Sequence, residues 1–248
     1  MKVKDRVAII TGSGSGIGEG IAKKLAECGA KVVINDIDSA KVERVAGEIR
    51  AAGGEATAIA ADITKIADVQ SMFKKIVEQY GRVDILVNNA GVARDKSLKK
   101  LTEEDWDVVL NVNLKGMFLC CKVAADYMRE QNYGRIVNIS SRAWLGGIGQ
   151  SNYSASKGGV VSLTRSLALE LGRKGITANC IAPGLIDTPL WQALSEEVRG
   201  RLIEKQPTRT VGSINDIANG VLFFTGDEAG YVSGQTIFIC GGRSLFAG

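Results

Sequence analysis

The chain has 248 residues, 45% of them hydrophobic and 23% charged, with a formal net charge of +4 and no histidine. This length holds one large α/β domain with a substantial core. The missing imidazole excludes Ser-His-Asp and Cys-His nucleophile systems and histidine-ligated zinc or iron centres, so acid/base work near neutral pH falls to Tyr, Lys, Cys, Asp or Glu.

Residues 6–11 (RVAIIT) are a short apolar run ahead of glycines, which predicts a buried strand. Ile17, Ile21, Leu25 and Cys28 then share a helical face that Gly29 closes. A second strand is expected over 31–36 (KVVIND), a helix over 39–52, and a third strand over 55–61. A helix over 67–80 ends at Gly81 and precedes a fourth strand over 83–88 (VDILVN). Thr102, followed by Glu103, Glu104 and Asp105, has the pattern of an N-cap with first-turn acids and starts a helical region to about residue 131. A fifth strand over 135–140 (RIVNIS), a helix over 152–173, a sixth strand over 177–181, a helix over 213–225 and a last strand over 235–239 complete the chain. Strands alternating with helices imply right-handed βαβ units and a parallel sheet covered on both faces, whose ligand site lies outside the strand carboxyl ends.

Thr11-Gly12-Ser13-Gly14-Ser15-Gly16-Ile17-Gly18 joins the first strand to the first helix. Glycines let a backbone approach a pyrophosphate, and the free N–H groups of a helix start attract it. Asp36 ends the second strand, where a carboxylate can accept hydrogen bonds from both adenosine ribose hydroxyls and repel a 2′-phosphate. The glycine loop has no Arg or Lys, and Ile37 is neutral, so NAD is expected over NADP. Asp62 and Ile63 follow the third strand, and Asn88, Asn89, Ala90 and Gly91 the fourth. Tyr153 and Lys157 stand four residues apart near a helix start, on one face. A phenol ionises near pH 10, and a neighbouring ammonium lowers that value. The pair is a way to build an acid/base without histidine, and a lowered phenol pKa is expected.

Lys and Arg are spread among acids, which argues against nucleic-acid binding. Residues 1–6 (MKVKDR) lack the features of a signal peptide, and no run of about 18 apolar residues predicts a membrane span. Cys28, Cys120, Cys121, Cys180 and Cys240 form no C-x-x-C pair, so no metal or disulfide is expected, and reduced thiols fit a cytoplasmic protein.

The T-G-x-x-x-G-x-G loop, the N-N-A-G segment, a serine at the fifth strand and Y-x-x-x-K together resemble the short-chain dehydrogenase/reductase family, from residue 6 to residue 242. The resemblance implies a single-domain, Rossmann-type doubly wound fold with a mainly seven-stranded parallel sheet. It implies hydride transfer between nicotinamide C4 and a carbinol or carbonyl carbon, with Tyr153 as general acid/base and Lys157 as its activator and ribose ligand. Asn113, with Asn111 as its near-miss neighbour, matches the helix Asn that holds a water in a proton relay. The substrate-oxygen serine is Ser140 or Ser141. Counting back from Tyr153 favours Ser140, and counting forward along the strand favours Ser141, which we take, since loops absorb single-residue deletions. The cofactor contacts implied are Gly12, Ser15, Gly16, Ile17, Gly18, Asp36, Asp62, Ile63, Asn89, Ala90, Gly91, Tyr153, Lys157, Pro183, Gly184, Ile186 and Thr188, with Ile186 and Thr188 on the nicotinamide carboxamide.

Residues 188–206 are the expected substrate lid; Trp191, Trp144 and Leu145 are candidates for an apolar wall, a structural role for each Trp being the alternative. Within the family the chain is most similar to bacterial 3-oxoacyl-thioester reductases, through Ala93-Arg94-Asp95-Lys96, Gly134-Arg135-Ile136-Val137-Asn138 and the glycine-rich tail. It departs from them at Ser15, Asp36, Cys240 and Pro207-Thr208-Arg209-Thr210. The expected substrate is a secondary alcohol or ketone, with a 3-oxoacyl carrier-protein or CoA thioester as the alternative; Arg129, Arg173 and Lys174 could dock its acidic carrier or phosphates. A non-catalytic NAD-binding sensor is the alternative from a different class. The family's habit implies a homotetramer or homodimer through the two long helices.

Overall fold

A computed structural model describes residues 3–245 of the chain; Met1 and Lys2, part of the segment read above for a signal peptide, lie outside it. The strands are β1 (Val7–Thr11), β2 (Lys31–Asp36), β3 (Glu55–Ala60), β4 (Ile85–Asn88), β5 (Gly134–Ile139), β6 (Ile176–Pro183) and β7 (Thr236–Ile239). They form one sheet in the order β3-β2-β1-β4-β5-β6-β7, and every pair is parallel. The chain winds outward from β1 to β3, then crosses to β4 on the other side of β1. The crevice beyond β1 and β4 is therefore the switch point where such sheets bind ligands.

Apolar runs without alternation become strands here because both faces are covered. Ala8 and Ile10 of β1 face one layer with α1 (Gly16–Glu27), α2 (Ser39–Ala51) and α9 (Ile214–Thr225), while Val7 and Ile9 face the other. That second layer holds α3 (Ile66–Tyr80), α5 (Met117–Gln131) and α6 (Ser151–Leu171).

The region expected as one helix from 102 to 131 is continuous but not uniform. After α4 (Glu103–Leu110), six residues, Asn111–Gly116, adopt π-helical hydrogen bonding before α5. Thr102 and Asp105 close a full capping box at the start of α4, and the Lys96 ammonium stands 2.6 Å from the Asp105 carboxylate. This helix, Glu103–Gln131, is long and apolar enough to cross a membrane by length and composition, which the count of unbroken apolar residues did not show. Its apolar side, including Cys120, Cys121, Ala124 and Met128, is buried in the second core layer, as in the core helix of an α/β sheet.

Boundaries shift where tertiary pairing extends or trims a strand. β6 runs through Pro183, paired to β7, and β5 stops at Ile139, so Ser140 and Ser141 both lie beyond its end. Two short helices that the periodicity did not show, α7 (Pro189–Gln192) and α8 (Glu196–Glu204), fill the segment expected as a lid.

Candidate active site

A cavity of about 470 Å³ opens at the switch point, lined from the ends of β1 to β4 by Gly12, Ser15, Ile17, Asp36, Asp62, Ile63, Asn89, Ala90 and Gly91, with Thr188 closing over it. Two hydrogen bonds to the buried Thr11 hydroxyl, from the backbone N–H of Asn89 (3.1 Å) and Ala90 (3.2 Å), clamp the glycine loop to the N-N-A-G turn. The Asn89 amide adds donations to the carbonyls of Thr11 and Gly12. Gly12 has φ +62°, and a Cβ there would lie 2.6 Å from the Ala90 Cα, so only glycine fits. A Cβ on Gly18 would strike the Gly12 carbonyl and the Asn89 amide. Gly16, also at positive φ, opens α1 with no neighbour in its way.

Asp36 accepts weak bonds from the N–H groups of Gly14 and Asp38, both at 3.3 Å. Two cations that neighbour counting did not weigh reach the glycine loop from α2. Arg44 donates to the Gly14 carbonyl at 2.9 Å and pairs with Glu19 and Glu48; Lys41 packs its stem on Gly14 and pairs with Asp38. Both therefore already have carboxylate partners. Asp62 is bound by the Thr64 hydroxyl, which holds its carboxyl below the usual range.

The residues fit a dinucleotide. The loop leaves a cradle a Cβ would fill, Asp36 stands at the cavity wall, and the main chain of Ile186 is left without hydrogen bonds. Ile186 forms a parallel bridge with Gly212 whose bonds come from the flanking Asp187 N–H and Leu185 carbonyl, leaving its own N–H and C=O free. Its side chain is buried in the first core layer, so any carboxamide contact at this position is made by the main chain. Pro183 and Gly184 approach β7 instead of the cavity wall; a Cβ on Gly184 would lie 2.7 Å from the Cα of Cys240. Thr188 also caps α7 through Trp191 N–H, so capping and cavity lining coexist.

Four side chains converge beyond Gly91. A Cβ placed there would sit 3.2 Å from Asn113 Oδ1 and 3.5 Å from Lys157 Nζ. Lys157 is buried, donates to the Ile139 carbonyl at 2.9 Å, and lies 5.7 Å above the Tyr153 ring. The two adjacent serines part company after β5. Ser140 turns into α6 and donates to the Lys157 carbonyl at 2.8 Å, whereas the Ser141 hydroxyl stands against the Tyr153 phenol. Ser141 also accepts from Ala143 N–H.

The expected lowering of the phenol is not produced by these side chains alone. Burial pushes Tyr153 up, and the Ser141 hydrogen bond offsets that only in part. Burial also brings Lys157 down to about 8, which weakens its charge as a source of phenolate stabilisation.

Asn113 sits in the π-helical segment, where such distortions often mark functional sites. Its Oδ1 accepts from Val92 N–H at 2.7 Å, and its amide donates to the Val92 carbonyl and the Ser156 hydroxyl. The side chain is thus a strut that ties α5's π-helical lead-in to Val92 and Ser156. Asn111, its neighbour, is exposed. Trp144 stacks on Phe238 with ring centroids 5.9 Å apart, and Trp191, on α7 within the lid segment, is buried, so both pack structurally; Leu145 stays exposed. No cluster among the described residues could hold a metal ion.

The family profile described as enoyl-(acyl carrier protein) reductase matches residues 12–244. The (2S)-[(R)-hydroxy(phenyl)methyl]succinyl-CoA dehydrogenase subunit BbsD of Thauera aromatica is 54% identical over 248 residues, covering 100% of both chains. The chain belongs to the short-chain dehydrogenase/reductase family. Another relative, the 3-oxoacyl-[acyl-carrier-protein] reductase FabG of Staphylococcus aureus (strain N315), is 44% identical over 96% of this chain and 98% of its own. The crystal structure of levodione reductase superposes with a TM-score of 0.94 at 36% identity, covering 98% of this chain and 99% of that one. Short-chain dehydrogenase/reductases are nicotinamide-dependent oxidoreductases.

Proposed function

We propose that the protein is an NAD-dependent dehydrogenase that interconverts a secondary alcohol and its ketone on an acyl-CoA thioester. The observation that carries this is the convergence of Ser141, Tyr153, Lys157 and Asn113 beyond Gly91, at the open side of a cavity whose far wall is Asp36. The two relatives above are both named for thioester substrates, and the Thauera name specifies a benzylic secondary alcohol on a succinyl thioester, with one carboxylate left free.

When bound, the nicotinamide supplies the hydride chemistry. Gly12, Ser15, Gly16, Ile17 and Gly18 would hold the pyrophosphate, Asp36 the adenosine ribose, and Asp62 and Ile63 the adenine. Asn89, Ala90, Gly91, Tyr153 and Lys157 would hold the nicotinamide half, with Pro183, Gly184, the backbone of Ile186 and Thr188 at the carboxamide. In oxidation Tyr153 takes the hydroxyl proton as the C–H hydride departs, and in reduction it returns that proton to the carbonyl oxygen. Ser141 binds the same oxygen and stabilises charge there. Asn113 braces Val92 and Ser156 and keeps Lys157 near the phenol. Residues 188–206 serve as the lid.

Selectivity for NAD rests on Asp36, whose charge opposes a 2′-phosphate while Lys41 and Arg44 are paired elsewhere. In steady-state kinetics NAD should exceed NADP in kcat/KM by about a hundredfold, a charge-repulsion effect near 3 kcal/mol. Equal use of both would favour 3-oxoacyl reduction with NADPH as the physiological reaction. Asp36→Ala should cut the preference at least tenfold. The sensor alternative is separated by Tyr153→Phe, which should lower turnover by about a thousandfold with cofactor binding retained; unchanged turnover would remove Tyr153 from the mechanism. We also place the enzyme in the cytoplasm as a homotetramer or homodimer; its reduced, mostly buried thiols and the exposed Trp106, Phe118 and Leu169 support this.

A further inference from the structure

Arg142 takes no part in the reaction just described, yet it directly follows Ser141. It opens a single 3-10 turn, Arg142–Leu145, between the end of β5 and α6, and this turn packs on a second one, Arg243–Leu245, after β7. The side chain is half-buried, and among the described residues it has no hydrogen bond and no ion pair. The guanidiniums of Arg6, Arg44 and Arg82 all meet carboxylates. The charged neighbour of Arg142 is instead Arg243, with the Cys240 thiol close by; burial and the second guanidinium hold its pKa below the usual arginine range. A cation kept partly out of water costs free energy unless an anion completes the site.

Its position says which anion. The cofactor cavity draws its lining from the ends of β1 to β4, the π-helical segment and Thr188. Arg142 directly follows Ser141, and its turn packs on the one after β7, outside that lining. The cofactor phosphates belong to the glycine loop, on the far side of the sheet's switch point.

We propose that Arg142 is the receptor for a free carboxylate on the substrate, so that the substrate class is a hydroxyacyl thioester bearing a second, unesterified carboxyl group. This rests on the thioester-dehydrogenase reading above and deepens it. A planar guanidinium matches a carboxylate bidentately, and the place of Arg142 directly after Ser141 sets such a carboxylate near the reacting oxygen. The ion pair would fix which carbinol carbon faces Tyr153 and would discriminate against neutral acyl chains.

The test uses two substrate pairs with the full-length enzyme and NAD. The reactive pair is 2-[hydroxy(phenyl)methyl]succinyl-CoA and 3-hydroxy-3-phenylpropanoyl-CoA, which share the alcohol and the CoA but differ in the carboxylate arm. The wild type should favour the carboxylate substrate in kcat/KM, and Arg142→Leu should reduce that ratio at least about tenfold, as for loss of a hydrogen bond to a charged group. Arg142→Lys should recover part of it. A ratio that does not move overturns the proposal; an equal loss for both substrates would place Arg142 on the CoA phosphates or in a structural role. The inert pair, 2-benzylsuccinyl-CoA and 3-phenylpropanoyl-CoA, is titrated calorimetrically into the wild-type NAD complex. This needs neither turnover nor a folded variant. Tighter binding of the carboxylate ligand supports the proposal, and equal binding overturns it. If neither thioester is oxidised while the inert pair still shows the preference, the dehydrogenase reading fails and the carboxylate site stands.

Discussion

Burial acts on the two titrating groups of the site in the same sense: each is driven toward its neutral form. The Tyr153 phenol is pushed up and the Lys157 ammonium is brought down to about 8 from 10.5. The Ser141 hydrogen bond is the favourable cause that opposes this at the phenol. Ser141→Ala is therefore expected to raise the phenol further. The rising limb of the pH profile of kcat/KM for alcohol oxidation should move to higher pH, with turnover lower by about a hundredfold; an unmoved limb would detach Ser141 from the phenol. Lys157 also makes stability depend on pH. Between pH 8 and 10.5 the unfolded chain binds more protons at this site than the folded one, so the destabilisation is full below about 8 and fades as pH rises through that window. Lys157→Met should lose activity yet unfold at a higher temperature than the wild type at pH 7, by at most about 3 kcal/mol in stability, with the gap closing toward pH 10.5. The residue scale is also where sequence counting stalled. The two spacings to Ser140 and Ser141 disagreed, and the side-chain directions were settled by where β5 ends and by the bond from Ser140 to the Lys157 carbonyl.

The element that departs most from expectation is the helix through Asn113. Its composition reads as helical throughout, because π and α hydrogen bonding share nearly the same backbone dihedrals and the same residue preferences. The π turn arises from contacts distant in sequence: Asn113 bonds to Val92 and Ser156, and Gly116 lies under Ile63. A Cβ on Gly116 would come within 2.9 Å of Ile63, which lines the cofactor cavity. Gly116→Ala should push that side chain inward and weaken NAD binding by about three- to tenfold, read by fluorescence titration. Unchanged affinity would mean that Ile63 can give way. At the start of the same helix, Thr102→Ala removes one half of the capping box and should lower stability by about 1–2 kcal/mol in urea unfolding, with kcat little affected. This cap was legible, since Thr102 and the acids after it are adjacent in the chain; the partnership of Asp105 with Lys96 was not.

At the scale of the whole molecule, a doubly wound sheet places every strand carboxyl end on one edge, and there the glycine loop, Asp36, the N-N-A-G turn and the two serines meet. The two core layers are separate, so a change in one leaves the other packed. Phe73→Ala, in the layer beneath α5, should cost about 3–5 kcal/mol through the cavity it leaves. The proposed assembly predicts a solution mass that is a multiple of 26.3 kDa by light scattering. Leu169→Asp, on the exposed face of α6, should shift it downward; a monomeric wild type would rule out an interface through the long helices. By itself the sequence determined the parallel α/β architecture, the glycine loop and the Tyr153–Lys157 spacing, because each is encoded by neighbours within one strand, turn or helix. Only the tertiary structure decided the π turn, the orientation of Ser141, the pairing of Lys41 and Arg44, the direction of the Tyr153 shift and the unpaired Arg142. Each of these depends on burial or on partners many residues away, which no local pattern records.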